Sequence, residues 1–384
     1  MIQDQNIICI SDVDWDSHLV AEQQIMSRLA RTNRILYLEQ KPTFLSFSHE
    51  HTFTEKIRRW LHGVRKESEN LFVASPPILI PFKYYKYISL INGYFYRRWI
   101  VKLVKELQFA DPIIITFEPD SAPIIDRIHA KLKIYYGYDD HILNNKCWWN
   151  PSIKIKERET ELIKKVDIVF MLTQSLCNRY KSHNPNMYVI PNGVDVDSFL
   201  RCSEDTPEDI KEVLHPIIGF FGMIDQRFDA KLVNRLAEEF SYASIVLVGP
   251  VNSNNHFFDL LKKRTNVFFL GPKVKEEFAN YIRNMDVCLI PQKPRYMKNL
   301  LGLKLYEYTA VGKPIVSTSN FELEAYPEFV KIGHDTTEFI KHVKNALEEN
   351  NDEMVTKRID FARKNTWDDR VHEISRIIRN YLTN

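Results

Sequence analysis

The chain has 384 residues, of which 44% are hydrophobic, so it can form two domains with ordinary cores. Its 52 lysines and arginines nearly balance its 50 aspartates and glutamates, and a net charge of +2 gives no electrostatic argument for nucleic-acid binding. Five cysteines without a C-x-x-C pair argue against a zinc site, and no apolar run approaches the ~20 residues of a membrane span. With no signal-peptide pattern, we expect a cytoplasmic protein.

Strands and helices alternate in the first half of the chain. A strand over residues 6–10, a helix over 19–31 and a strand over 34–39 form a βαβ unit, which requires parallel strands. Further strands are predicted at 71–74, 112–117, 133–138, 167–172 and 187–190. These elements predict one doubly wound α/β domain over residues 1–194.

The same alternation restarts after Pro216. Strands are predicted at 217–221, 244–248, 266–270, 286–290 and 314–317, with helices between them. We therefore predict a second doubly wound domain over residues 195–365. An amphipathic helix is predicted to follow it, at the end of the chain.

The strongest local signal is the stretch GLKLYEYTAVGKPIVST over residues 302–318. It predicts a helix, a stop at Gly312 and a buried strand containing Ile315 and Val316. The free N–H groups of the first helical turn, near residues 300–303, suit a phosphate. Lys304 and Glu307 are three residues apart and share a helix face, where the carboxylate could accept hydrogen bonds from a sugar diol. The stretch therefore predicts a site for a nucleoside diphosphate.

Three segments resemble the GT-B glycosyltransferases of the retaining group-1/group-4 type. They are the stretch over 302–318, VIPNGVDVDSF over 189–199 and GFFGMIDQRFD over 219–229. The last is similar to a subgroup near the teichuronic acid and other surface-polysaccharide transferases. With YYGYDD at 135–140 and DWD at 14–16, the resemblance covers most of the chain, and the order of the motifs makes it specific.

The resemblance implies a fold and an activity. The fold is α/β, of the GT-B type, with two Rossmann-like doubly wound domains facing across a cleft. Residues 1–194 would bind the acceptor, residues 195–365 would bind the nucleotide-sugar, and the C-terminal helix over 366–384 would pack back on the first domain. The activity is transfer of a sugar, with retention, to a saccharide or lipid-linked acceptor in bacterial cell-surface polysaccharide biosynthesis.

By the same resemblance, the donor site consists of Gly222, Arg227, Asn299, Leu303, Lys304 and Glu307. Glu307 would hold the ribose of the nucleotide. Asn299 stands where the family has a glutamate, so the chain departs from the full motif there. Arg227 would lie against the diphosphate, because its planar fork can donate two parallel hydrogen bonds. Asp225 is predicted to cap the helix that follows.

Asp139 and Asp140 are catalytic candidates alongside Arg227. They end a predicted strand of the first domain, where open α/β sheets bind ligands. In the family a histidine often occupies the related position and touches the donor sugar. An alternative reading is that the two carboxylates cap the segment that follows.

Asp14, Trp15 and Asp16 follow the first strand, and the resemblance implies that they contact the acceptor. The alternative is an Asx turn with a buried tryptophan. Residues 12–14 and 195–197 each spell D-x-D, a metal-binding pattern of the other glycosyltransferase fold. The second doubly wound domain contradicts that fold, so we expect no metal and no cofactor.

The stretch from Lys83 to Lys105 is rich in basic and aromatic residues, including Arg97, Arg98 and Trp99. This mixture suits the headgroup region of an anionic membrane, so we expect peripheral contact with the inner face of the cell membrane. The alternative is a surface helix with buried aromatic rings. No nucleic-acid partner is expected.

Two other functions remain open at this point. A nucleotide-sugar epimerase can share the fold. A catalytically inactive partner subunit could bind a nucleotide or glycan without transferring sugar, and Asn299 keeps that alternative open.

Overall fold

The computed structural model describes residues 1–17, 20–42, 53–138, 152–201, 205–252, 256–296, 302–349 and 351–383. Contacts within the chain divide it into two units. Unit 1 consists of residues 1–191 and 370–384, and unit 2 of residues 192–369. Of the sequence-predicted site residues, Asp139, Asp140 and Asn299 lie outside the described residues.

Unit 1 contains a sheet of eight strands in the described ranges. They are β1 (Asn6–Ile10), β2 (Arg34–Leu38), β3 (Val64–Ser68), β4 (Leu71–Ala74), β5 (Ile113–Thr116), β6 (Leu132–Gly137), β7 (Ile168–Met171) and β8 (Met187–Val189). Their order in the sheet is β3-β4-β2-β1-β5-β6-β7-β8, and only β3 and β4 pair in antiparallel fashion. The strands IIIT of β5 and IVFM of β7 are buried at every position, as in a parallel sheet covered on both faces.

Helices connect these strands. Those described in unit 1 are α1 (Ala21–Leu29), α2 (Phe53–His62), α3 (Lys86–Glu106), α4 (Ser152–Lys165) and α5 (Gln174–Tyr180). Within the described ranges of the whole chain, no helix is both long and apolar enough to cross a bilayer.

Unit 2 contains a six-stranded parallel sheet. Its strands are β9 (Ile217–Phe221), β10 (Ser244–Val248), β11 (Val267–Gly271), β12 (Val287–Ile290), β13 (Ile315–Thr318) and β14 (Val330–Gly333), in the order β11-β10-β9-β12-β13-β14. Alternate residues of a strand enter separate apolar clusters: Val246 and Val248 of β10 join one, and Ile245 and Leu247 join the other. Because successive side chains of a strand point to opposite faces, these two clusters bury both faces of the sheet.

The helices of unit 2 surround this sheet. They are α6 (Val196–Leu200), α7 (Glu208–Lys211), α8 (Ala230–Glu239), α9 (His256–Lys262), α10 (Phe278–Arg283), α11 (Lys304–Ala310), α12 (Thr336–Leu347) and α13 (Asp352–Arg363). The last helix, α14 (Trp367–Thr383), begins in unit 2 and continues in unit 1. The predicted α/β architecture with parallel sheets is confirmed.

The strand order reverses at one place in each sheet. In unit 1 the chain runs outward from β1 through β2 to β4 and then returns to β5 on the other side of β1. In unit 2 it runs from β9 to β11 and returns to β12 on the other side of β9. Open α/β sheets bind ligands beyond the carboxyl ends of the strands at such positions. The loops that follow β1 and β9 therefore stand where ligands are expected.

Candidate functional site

At the reversal point of unit 2, the carboxyl ends of β9 and β12 are held apart by a tyrosine. The paired residues of the two strands end with Cys288 opposite Gly219. The next parallel ladder bond would run from the Phe221 N–H to the Leu289 carbonyl. Instead, the Tyr308 hydroxyl accepts a hydrogen bond from Phe221 N at 3.1 Å and donates one to the Leu289 oxygen at 3.3 Å. Tyr308 is fully buried, so α11 is fastened to both strand ends.

Lys304, in the first turn of α11, lies against the glycine that ends β9. A Cβ atom added to Gly222 would be 2.6 Å from Lys304 Nζ, and the positive φ of 139° also favours glycine there. The ammonium is 5.2 Å from the centroid of the Phe220 ring. Burial lowers the pKa of Lys304, and so does the charge of Arg227; Glu307 and Asp225 raise it, and the net shift is downward. The positive charge of the buried Lys304 ammonium is therefore incompletely compensated by the carboxylates around it.

Arg227 belongs to a loop that is tied to two neighbouring segments. Ile224 N donates to the Pro250 oxygen after β10, and Lys293 N, after β12, donates to the Arg227 oxygen at 2.8 Å. The Arg227 guanidinium binds the Asp225 carboxylate, with Nε 2.9 Å and Nη2 2.9 Å from Oδ2. Its side chain is still 30% exposed. The loop thus presents a fixed, partly solvent-accessible guanidinium.

The prediction that Asp225 caps the next helix is wrong. Asp229 is the N-cap of α8, and its side chain accepts a hydrogen bond from Leu232 N at 3.1 Å. Asp225 lies one turn too early, and its carboxylate accepts from the Arg227 backbone N–H and side chain instead.

Helix α11 begins later than its sequence indicates. It starts at Lys304, with Leu303 as the preceding cap, so its first free N–H groups belong to residues 303–305, whereas the sequence predicted them near 300–303. Its end is as predicted: Gly312 has a φ of 74°, and Lys313 N donates to the Tyr308 oxygen at 3.0 Å in a Schellman-type turn. The strand predicted to follow is β13.

The structure brings four of the predicted donor residues together at the reversal point of unit 2: Gly222, Arg227, Lys304 and Glu307. Leu303 immediately precedes Lys304, as the cap of α11. The sequence analysis missed Tyr308, although it stands next to Glu307. In a helix whose residues are mostly buried, the sequence does not indicate which tyrosine hydroxyl bonds to the ends of two strands.

In unit 1, the predicted acceptor residues form a charged network after β1. Asp14 Oδ2 is 3.9 Å from the buried Lys56 ammonium, and Asp16 Oδ2 is 3.0 Å from Arg59 Nη2. Trp15 N donates to the Glu39 carboxylate at 3.1 Å, and its ring makes an edge contact with Tyr37. These partners come from the end of β2, from Glu39 just after it, and from α2. The loop is therefore held by ion pairs and is more than a simple Asx turn.

Asp12, in the first D-x-D segment, lies close enough to the buried Glu22 carboxyl to affect it electrostatically. Tyr138 donates to Asp12 Oδ1 at 2.8 Å, and Glu22 is fully buried beside Ser11 and Tyr37. Burial, and then the Asp12 charge, raise the pKa of Glu22 well above its usual value. Among the described residues, no group of three or more His, Cys, Asp or Glu side chains is arranged to hold a metal ion.

A profile of the family described as "Glycosyl transferases group 1" matches residues 215–355, which include β9 to β14 and α11. The chain carries a group 1 glycosyl transferase domain. It is also 26% identical over 226 residues to a protein of Bacillus subtilis (strain 168) named as a teichuronic acid biosynthesis glycosyltransferase, TuaH. The alignment covers 56% of this chain and 57% of that relative.

Solved glycosyltransferase structures match nearly the whole chain. Sucrose-phosphate synthase from Thermosynechococcus elongatus has a TM-score of 0.71 and 13% identity, and covers 99% of both chains. Anabaena Alr3699/HepE in complex with UDP-glucose has a TM-score of 0.65 at 12% identity, covering 98% of this chain and 100% of its own. WaaG, a glycosyltransferase involved in lipopolysaccharide biosynthesis, has a TM-score of 0.64 at 14% identity and covers 97% of this chain and 99% of its own.

At these identities the likeness shows the fold, which is GT-B. The resemblance inferred from the sequence motifs is thereby confirmed. The glycosyl transferase domain is the part of the chain that contains Lys304, Glu307 and Arg227. Group 1 glycosyltransferases are typically metal-independent. Neither the epimerase nor the inactive-subunit alternative is supported by the comparisons.

Proposed function

We propose that this protein transfers a sugar from a nucleotide-sugar donor, with retention, to a saccharide or lipid-linked acceptor in cell-surface polysaccharide biosynthesis. The observation that carries the proposal is the cluster of Lys304, Glu307 and Arg227 at the reversal point of a group 1 glycosyl transferase domain. We assign the donor to the second domain, residues 195–365. The acceptor is assigned to the first, residues 1–194 with the helix over 366–384.

In this proposal each donor residue meets one part of the nucleotide. Glu307 accepts hydrogen bonds from the ribose hydroxyls. Lys304, Arg227 and the N–H groups at the start of α11 donate to the diphosphate, whose negative charge grows as the glycosidic bond breaks. The incompletely compensated Lys304 ammonium supports this role, because an arriving diphosphate supplies the counter-charge that the protein lacks there.

The acceptor would meet the loop after β1. Asp14 and Asp16 are already oriented by Lys56 and Arg59, so we expect sugar hydroxyls to approach these carboxylates, with Trp15 between them. Asp139 and Asp140 remain catalytic candidates on the sequence argument alone. By resemblance to the family, no separate catalytic base is needed here, because the leaving phosphate can take the acceptor proton.

We also propose that catalysis needs no divalent metal, since Arg227 and Lys304 provide the positive charge. Arg227→Lys keeps a charge but loses the fork, so turnover should fall more than donor affinity; Arg227→Ala should lower both. Arg235→Ala, at an exposed ion pair on α8, is the matched control. The measurement is the initial rate of nucleotide release with and without EDTA. Activity that vanishes with EDTA and returns with magnesium or manganese would show the metal-free proposal to be wrong.

Contact with an anionic membrane is the last part of the proposal. Helix α3 buries Asn92, Tyr96, Ile100 and Leu103 on one side. Its other side is aromatic and exposed: Tyr87 is 78%, Tyr94 54% and Phe95 58% accessible. The helix has five basic residues and one acidic residue, Glu106. Exposed rings beside an excess of lysine and arginine are typical of helices that lie at a lipid headgroup surface.

A further inference from the structure

A pocket in unit 1 opens beside the exposed aromatic side of α3. It lies between the first turns of α3, the segment 123–127 that follows β5, and helix α4. Lys86, Ser89 and Leu90 of α3 line it. Because Lys86 and Leu90 flank the exposed Tyr87, the pocket and the aromatic side of α3 form one continuous surface. We call it the α3 pocket.

The α3 pocket has more positive than negative charge. Its basic lining residues are Lys86, Arg127, Lys154, Arg158 and Lys165. Its acidic ones are Asp126, Glu157 and Glu161. The carboxylates are already engaged: Glu157 is 2.9 Å from Lys154, and Lys165 is 2.8 Å from Glu161 and 3.0 Å from Asp126. The excess positive charge is therefore available to a ligand.

Arg158 and Ser89 give the α3 pocket an oriented pair of donors. Arg158 is only 18% exposed; its Nη1 lies 3.4 Å from the Glu161 carboxylate, and its Nη2 donates to Ser89 Oγ at 2.8 Å. Since Ser89 accepts this bond, its own hydroxyl proton can be donated to a second partner. A guanidinium held in place by these two contacts and a hydroxyl that can donate, within a net positive recess, are groups that bind a phosphate.

We infer that the α3 pocket binds the phosphate of a lipid while the aromatic side of α3 lies in the headgroup region. The phosphate oxygens would receive hydrogen bonds from Arg158 and Ser89 and charge from Lys86. The same chemistry is offered by a membrane phospholipid and by a lipid-linked diphosphate. The inference rests on the proposed membrane contact of α3 and is independent of the donor site.

The experiment uses the full chain and phosphatidylcholine vesicles matched in surface potential. One set contains phosphatidic acid, which exposes a phosphate monoester, and the other contains phosphatidylglycerol. We expect the wild type to bind the phosphatidic acid vesicles roughly tenfold more tightly, as one or two charge-assisted hydrogen bonds allow. Lys86→Gln with Arg158→Gln should abolish this preference, and Lys86→Gln alone should reduce it without disturbing the buried contact with Ser89.

The matched control removes two charges from the same helix outside the α3 pocket: Arg98→Gln with Lys105→Gln. It should weaken binding to both vesicle types equally and keep the preference. Equal binding of both vesicle types by the wild type, or a preference that survives the pocket variants, would overturn the inference while leaving membrane contact intact. Loss of all vesicle binding would overturn both, and nucleotide release would still report the proposed activity. Displacement by farnesyl diphosphate, added to the vesicles, distinguishes a lipid-linked diphosphate from a phospholipid.

Discussion

The substitution Tyr308→Phe tests whether the spacing of β9 and β12 controls the donor site. It removes one oxygen atom from a fully buried position and leaves the ring in place. The Phe221 N–H loses its acceptor at 3.1 Å, and the Leu289 carbonyl loses its donor at 3.3 Å. Either the two strand ends close to form the missing ladder bond, or both groups stay buried without a partner.

Both outcomes have a predictable size. A buried amide left without an acceptor costs about 1–3 kcal/mol, so the melting temperature should fall by several degrees. If the strands close instead, α11 must move outward, and Lys304 and Glu307 move with it. We expect the affinity for the nucleoside diphosphate to fall by about tenfold, equivalent to ~1.4 kcal/mol.

Thr309→Val is the matched control, because the Thr309 hydroxyl is buried on the same helix and, among the described residues, donates to the Leu305 and Tyr306 carbonyls of that helix. It should cost stability and leave nucleotide affinity unchanged. Calorimetric titration and thermal melting of the wild type and both variants give the comparison. If Tyr308→Phe binds nucleotide as tightly as the wild type, the hydroxyl does not position α11 for the donor, and the reasoning is refuted.

Three further predictions concern charge. Lys304→Met should raise the melting temperature and weaken nucleotide binding, because burial lowers the pKa of Lys304 in the unliganded protein and the neutral side chain avoids that cost. For the wild type, nucleotide binding should take up protons at alkaline pH, because the lowered pKa leaves part of Lys304 neutral until the bound diphosphate restores its charge. Calorimetry in two buffers of different ionisation enthalpy measures this proton uptake. Lys304→Met should abolish the uptake. Arg98→Gln with Lys105→Gln should weaken sedimentation with anionic vesicles by roughly thirtyfold, because each charge contributes about 1 kcal/mol, and added salt should weaken the binding of the wild type. A wild type that ignores such vesicles at low salt would refute the proposed membrane contact.

The sequence predicts much of unit 2 because its signals are local. Gly312 and Pro314 terminate a helix whatever surrounds them, and the β-branched pair after them reads as a buried strand. Helix starts are less certain. Asp225 and Asp229 both have capping side chains, and only the bonds from Arg227 show that Asp225 is occupied elsewhere.

Features that depend on distant partners are not readable from the sequence. Strand β3 has the sequence VRKES, whose charges give no strand period, and it forms by antiparallel pairing with β4 at the edge of the sheet. The partners of Asp14 and Asp16 lie on α2 and β3, some 40 to 50 residues away along the chain. The role of Tyr308 also depends on distant partners, because its hydroxyl bonds to the ends of two strands that diverge at that point.

The most direct test of the central claim is a cycle that pairs Glu307 with the ribose. Wild type and Glu307→Gln are titrated by calorimetry with the best-binding of UDP, GDP and ADP and with its 2′-deoxy analogue, and Glu239→Gln on α8 serves as the control. If Glu307 holds the ribose diol, the wild type should prefer the ribonucleotide by roughly tenfold or more, as expected for a hydrogen bond to a carboxylate, and Glu307→Gln should lose that preference. An equal preference in wild type and Glu307→Gln would contradict the assignment of the donor to this site.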